Sequence, residues 1–277
     1  MRFTKMHGIG NDYIYINAME EIVYDPEALA VRLSQRHFGV GADGLVLIDA
    51  SDSADLRMRI FNADGSEAET CGNALRCVCK YAYERGLTEK TELTIETLGG
   101  ICQAWLDVDG GAVRSVRVDM GSPELNPARI PVDLPGETVL NYRLQLMGQA
   151  WFMSCVSMGN PHAVLFVRDP EVLDLSMVGA ILEHHKMFPQ RANIEFVRVI
   201  DRGHMQMRVW ERGSGETMAC CSGACAALVA GVLTGRCDRK VEMKLPGGML
   251  NLHWNADDNH VYQSGTADFV FDGEIAD

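Results

Sequence analysis

Asn62-Ala-Asp-Gly-Ser-Glu-Ala-Glu-Thr-Cys71-Gly-Asn-Ala-Leu-Arg-Cys77 puts a thiol directly ahead of a helix-forming run. In the other half of the chain, Glu211-Arg-Gly-Ser-Gly-Glu-Thr-Met-Ala-Cys220-Cys-Ser-Gly-Ala-Cys225 does the same. After Gly72, the apolar residues Leu75, Val78, Cys79 and Ala82 recur at i, i+3, i+4 and i+7, one helical face, and Gly86 supplies the stop. From Gly223 to Leu233, the residues Cys225, Leu228, Val229 and Val232 share a face, with Gly235 as the stop. A thiol at a helix N-terminus meets backbone N–H groups and the positive end of the dipole, which favour its thiolate. Gly72-Asn73 and Ser222-Gly223 would leave helix N–H groups to hold an anion such as a substrate carboxylate. One such cysteine reads more readily as a small buried residue at a cap; two in matched Gly/Ser-rich settings are harder to dismiss. Facing each other across a cleft, they would form a base on one side of a carbon and an acid on the other. That arrangement suits inversion of a stereocentre by proton exchange.

The flanking sequence repeats a plan of strands followed by a Cys-headed helix. Phe3–Met6 and Tyr13–Asn17 read as strands around a Gly-rich turn, and Asp25-Pro26 opens a helix to about Arg36. Leu45–Ile48, Leu56–Phe61 and Ala112–Met120 follow as strands. The second half gives strands at Trp151–Met158, Ala163–Val167, Asn193–Val199 and Met205–Trp210, with a helix from Leu175 to about Lys186. The recurrence points to an internal duplication, and the Pro-rich stretch Pro123–Pro135 is the candidate linker between its halves.

At 277 residues, with 47% apolar and 23% charged residues, the chain is of ordinary globular composition and long enough for two domains. A net charge of −13 and the lack of a Lys/Arg cluster argue against nucleic acid. No apolar run is long enough to span a membrane, and the N-terminus has no apolar signal core, so a cytoplasmic location is expected. Nine cysteines without a signal peptide point to reduced thiols rather than a disulfide framework. Cys71, Cys77 and Cys79 lie close together but lack paired C-x-x-C spacing and a following His/Cys pair, so no metal site is expected. Cys102, Cys155 and Cys237 read as small buried hydrophobes.

Lys5-Met-His-Gly-Ile-Gly-Asn-Asp12, Gly39-Val-Gly-Ala-Asp43, Arg59-Ile-Phe-Asn-Ala-Asp-Gly65, Cys71-Gly-Asn73, Ser157-Met-Gly-Asn-Pro-His162, Ala192-Asn193, Glu211-Arg-Gly213, Thr217-Met-Ala-Cys220 and Pro246-Gly-Gly248 occur in that order. Together they closely resemble the diaminopimelate epimerase family, from Phe3 to about Gly273. The resemblance implies an α/β (α+β) fold of two pseudo-symmetric domains. Each would be a barrel-like, mostly antiparallel sheet around a central helix, with the active site in the cleft between them. Residues 1–121 are assigned to the first domain, with a C-terminal strand over 264–277 returning to it, and residues 122–263 to the second. The activity implied is cofactor-independent interconversion of LL- and meso-diaminopimelate, a small-molecule substrate, in lysine and peptidoglycan precursor synthesis. A homodimer is implied as well.

Carried over by motif, Cys71 and Cys220 are the acid/base pair, and His162 and Glu211 the partners that tune the thiols. Arg212 resembles the clamp for the distal carboxylate, whose geometry a guanidinium matches bidentately. Asn11, Asn62, Asn160 and Asn193 resemble the amides that hold the distal amino-acid end. The backbone N–H groups of Gly72, Asn73, Cys221 and Ser222 would grip the reacting carboxylate. Cys221 stands where the family usually has Gly; a side chain there costs roughly 1 kcal/mol if the backbone is left-handed. Ala74 also replaces a usual Gly, a mild change because Ala is the better helix former. Two other functions compete: a cofactor-independent racemase of another amino acid, and a thiol redox or metal-binding protein.

Overall fold

Strand β1 (Arg2–Gly8) reverses at Ile9-Gly10 into β2 (Asn11–Asn17). The structure, a computed structural model, describes residues 1–275, so the last two positions of the strand expected over 264–277 lie outside the described residues. Asp25 caps α1 (Pro26–Ser34) by accepting from the Ala28 N–H, with Pro26 at a position that needs no donor. Strands β3 (Gly44–Asp49), β4 (Leu56–Asn62) and β5 (Glu67–Ala68) precede α2 (Gly72–Glu84). Then come β6 (Glu92–Thr97), β7 (Gly100–Asp109) and β8 (Ala112–Asp119). The second half holds β9 (Tyr142–Leu146), β10 (Gln149–Ser157), β11 (Pro161–Phe166), α3 (Leu175–Glu183), β12 (Asn193–Val199), β13 (His204–Glu211) and β14 (Gly215–Thr217). It continues with α4 (Cys221–Leu233), β15 (Lys240–Leu245), β16 (Gly248–Trp254), β17 (Val261–Gly265) and β18 (Asp268–Glu274).

The chain separates into two units, Met1–Asp119 with the residues from Ser264 onward, and Met120–Gln263. In the first, β1 pairs antiparallel with β2 and β18, β2 runs parallel to β3, β3 pairs antiparallel with β4, and β4 runs parallel to β6. In the second, β10 pairs antiparallel with β9 and β11, β11 runs parallel to β12, β12 pairs antiparallel with β13, and β13 runs parallel to β15. The pairings of β1–β6 therefore recur strand for strand in β10–β15, each set mostly antiparallel with parallel steps at the same two places. Helices obey the same repeat. Helix α2 packs against β1 and β2 and also against β7 and β8, at opposite ends of its sheet, so the sheet curls around it. Helix α4 packs against β10, β11, β12 and β16 in the same way. Helices α1 and α3 cover the outer faces through Leu29, Ala30 and Leu33, and through Leu175, Val178 and Leu182.

Two expectations need correction. Pro123–Pro135 is not a linker: it lies inside the second unit, where Ile130 and Val132 join the core with Leu165, Phe188 and Phe196. Nor is α4 amphipathic. It begins at Cys221, two residues earlier than expected, and every residue from Gly223 to Gly231 is buried, as befits a helix enclosed by sheet. Cys102 is half-buried rather than buried, whereas burial pushes the Cys155 and Cys237 thiols up to about 12 and about 11, and leaves them poor nucleophiles.

Close strand contact is tightest at Gly44, where an added Cβ would lie 2.1 Å from the Phe61 carbonyl oxygen on β4. Replacing Gly44 with Ala is expected to cost about 1–3 kcal/mol of stability by overpacking. Urea denaturation measures this directly; an unchanged midpoint would show that the β3–β4 spacing relaxes freely.

Candidate active site

Cys71 caps α2 from extended backbone (φ −147°, ψ 114°), and the first bond of the helical ladder runs from Leu75 N–H to Cys71 O at 2.9 Å. The amides of Gly72, Asn73 and Ala74 thus precede the ladder at the positive end of the helix. The Cys71 thiol donates to Asn11 Oδ1 at 3.5 Å, and Asn11 Nδ2 donates to Asp43 Oδ2 at 2.8 Å. Asp43 also accepts from the Asp12 N–H and from Arg36, while Lys5 binds Asp12 and the Gly41 carbonyl. Burial, and then the neighbouring Asp12 carboxylate, push the Asp43 carboxyl up. These contacts clamp the Asn11 amide with its NH₂ toward a carboxylate and its oxygen toward the thiol. Ile9, two residues earlier, sits at φ 49°, a region in which a β-branched residue is strained. Fully buried Arg76 donates to Asn73 Oδ1 at 2.8 Å and to the Thr266 carbonyl at 3.1 Å, adding a cation to this end of α2.

Cys220 caps α4 from the same backbone region (φ −126°, ψ 108°), and Ala224 N–H to Cys220 O opens that ladder at 3.0 Å. Its sulfur accepts from the Gly223 N–H at 3.4 Å and lies 3.5 Å from Ser222 Oγ. Glu211, at the end of β13, accepts from Thr217 Oγ1 and interacts electrostatically with the Cys220 thiol. Burial, and then the carboxylates of Glu211 and Glu195, push the Cys220 thiol well above its ordinary value. Burial also pushes Glu211 up. Burial and the two carboxylates thus favour the protonated thiol at Cys220, against the thiolate expected from the helix dipole alone.

His162 on β11 is fully buried, with Nδ1 2.7 Å from Glu195 Oε1 and Nε2 2.8 Å from Asn160 Oδ1. Asn193 donates to the Pro161 carbonyl at 3.0 Å and accepts from the Arg212 N–H at 2.9 Å, tying the start of β11 to the turn after β13. The Arg212 side chain is exposed and donates to the Gln190 carbonyl at 3.2 Å.

Of the residues singled out in the sequence, Asn11, Cys71, Gly72 and Asn73 thus meet at the head of α2. Asn160, His162, Asn193, Glu211, Arg212, Cys220, Cys221 and Ser222 lie around the head of α4. Asn62 does neither: its amide donates to Ser66 Oγ within the turn after β4. Cys221 is the first residue of α4 and is not among the residues with positive φ, so the left-handed cost anticipated for it does not arise. Glu195 was missed. Its one signal is a carboxylate in the middle of the apolar strand Asn193-Ile-Glu-Phe-Val197. Among the described residues, no group of three or more His, Cys, Asp and Glu side chains is placed to hold a metal ion. No helix among them is long and apolar enough to cross a membrane.

The family model of diaminopimelate epimerase matches residues 3–126 and 154–270. The chain belongs to the diaminopimelate epimerase family. It is 54% identical over 275 residues to the diaminopimelate epimerase of Acetivibrio thermocellus, covering 99% of this chain and 98% of that one. It is 52% identical to that of Moorella thermoacetica, over 99% of both chains. Among solved structures, a hydroxyproline epimerase from Agrobacterium vitis superposes with a TM-score of 0.69 at 16% identity, over 99% of this chain and 90% of that one. A Bacillus anthracis protein of the PhzF family gives 0.70 at 18% identity, over 100% and 99%. These distant structures share the mixed α/β, sheet-dominated fold with few helices.

The charge around Cys220 yields a test. Alkylation of Cys220 by iodoacetamide in the native protein is expected to be slow at neutral pH and to accelerate about tenfold in Glu211→Gln. That factor corresponds to removing roughly 1.4 kcal/mol of unfavourable charge. Mass spectrometry of the Cys220 peptide reads the rate; an unchanged rate would show that the charge of Glu211 does not act on the thiol.

Proposed function

We propose that this protein interconverts LL- and meso-diaminopimelate by moving the α-proton between Cys71 and Cys220, without a cofactor. The observation that carries the proposal is the pair of thiols capping topologically equivalent helices in a chain of this family. Proton exchange with inversion needs a base on one face of the carbon and an acid on the other, and each cysteine fills one role, according to the isomer bound. A carboxylate held by the amides of Gly72, Asn73, Cys221 and Ser222 takes up the negative charge that develops as the proton leaves, which is oxyanion-type stabilisation.

Glu211 exchanges its proton with Cys220, and His162 serves the same chemistry through its ring. Arg212, exposed and with an unbranched reach, pairs with the distal carboxylate, while Asn11, Asn62, Asn160 and Asn193 hold the distal amino-acid end by donating and accepting. The product feeds lysine and peptidoglycan precursor synthesis. The enzyme acts in the cytoplasm, where its thiols stay reduced, and as a homodimer.

Proton NMR of the reduced protein with LL-diaminopimelate in D₂O tests the reaction. Loss of the α-proton signal with appearance of the meso isomer is the expected result. Cys71→Ala and Cys220→Ala should each lower epimerisation by about 10²-fold or more, since each removes the proton donor or acceptor for one face. Cys221→Gly should keep or raise the rate. Normal turnover in either alanine variant, or exchange only of a monocarboxylic amino acid, would overturn the proposal.

A further inference from the structure

Glu195 is fully buried and takes no part in the mechanism above, yet it lies among the groups that do. The parallel register of β11 and β12 pairs His162 with Asn193 and Val164 with Glu195, so His162, Asn193 and Glu195 share one face. The antiparallel register of β12 and β13 pairs Glu195 with Val209, which adds Glu211 to that face. The face is turned toward the first turn of α4. There an added Cβ on Gly223 would lie 2.6 Å from Glu195 Oε1, so the carboxylate fills the space a side chain would take. Oε1 meets His162 Nδ1 at 2.7 Å, and Oε2 is buried without a hydrogen-bond partner. A buried carboxylate is costly unless something in the fold requires it. Its single hydrogen bond goes to the imidazole.

We propose that Glu195 is a positioning residue for the epimerisation: its carboxylate holds a proton of His162 on Nδ1 and so fixes the tautomer and plane of the ring, with Nε2 directed at Asn160. A histidine has two distinct nitrogens, and the hydrogen bond at one decides which tautomer the other presents. A carboxylate can only accept, so it admits only a ring with a proton on Nδ1. An Nε2–H donates to Asn160 Oδ1 at the observed 2.8 Å, whereas a bare Nε2 requires the Asn160 amide to turn its NH₂ to the ring. The seat against Gly223 fixes the carboxylate and with it the plane of the ring, and the half-buried Asn160 links the ring to the protein surface.

The kinetic arm of the test rests on the epimerase activity proposed above; the spectroscopic arm does not. Long-range proton–nitrogen NMR of the full chain with ¹⁵N-labelled histidine, assigned by difference with His162→Asn, reads which ring nitrogen is protonated from acid to alkaline pH. In the native protein, Nδ1 of His162 is expected to stay protonated whenever the ring is neutral. A neutral ring with its proton on Nε2 would overturn the inference, whether or not any variant folds. Glu195→Gln keeps the shape but can donate as well as accept. It is expected to mix the tautomers and to lower kcat about tenfold or more with KM within about twofold. Unchanged tautomer and unchanged kcat in the folded variant would show that Glu195 only packs. If the native protein fails to epimerise diaminopimelate, the activity falls, and the tautomer of His162 alone still decides the role of Glu195.

Discussion

A helix enclosed by sheet satisfies its backbone internally along its length and has groups to spare only at its ends. Both α2 and α4 are such helices, and each begins at a cysteine N-cap. Enclosure dictates composition. Helix α4 is built almost entirely of Cys, Ala, Gly, Leu and Val, and its Gly223 and Gly231 lie where a Cβ would meet Glu195 and Cys237 at 2.6 Å. Strands that curl around an axis this closely approached leave no room for larger residues. The N-cap position keeps a reactive side chain in the field of the dipole, half-buried at Cys71 and buried at Cys220.

Equivalent scaffolds carry unlike charges. The cap of α2 is accompanied by a buried arginine and by an amide oxygen that accepts from the thiol. The cap of α4 is accompanied by two carboxylates, Glu195 and Glu211, which together with burial push the Cys220 thiol up. Duplicating a fold gives two identical sites by default, whereas inversion needs one acid and one base at the start of each turnover. Unequal charge on equal backbones lives in side chains that need not be repeated between the halves.

Much of this was legible from residue types alone. The caps, the i, i+3, i+4 stripe of α2 and its Gly86 stop, the Asp25-Pro26 start of α1 and the apolar strands all follow from local preferences that the fold respects. What escaped was non-local. Helix α4 reads as amphipathic because small residues hide how completely it is surrounded, and Pro123–Pro135 reads as a linker because Ile130 and Val132 are too sparse to announce a core. Strands of two or three residues, such as β5 and β14, exist only through their neighbours. The contact that Asn62 makes with Ser66 within its own turn is likewise not readable from its motif.

Glu195 shows most clearly why a site can be invisible in a sequence that reveals its fold. A glutamate in a strand is ordinarily a solvent-facing residue, and nothing within a few positions contradicts that. Its burial is decided by two strand registers at once: β11 against β12 sets it diagonal to His162, and β12 against β13 puts it on the face of Glu211. A slip of one residue in either pairing would turn it to the opposite face and leave the imidazole without its acceptor. Asn193 guards against such a slip, since its amide binds Pro161 at the start of β11 and Arg212 just past β13. One buried amide thus ties the three strands together in the register that assembles His162, Glu195 and Glu211.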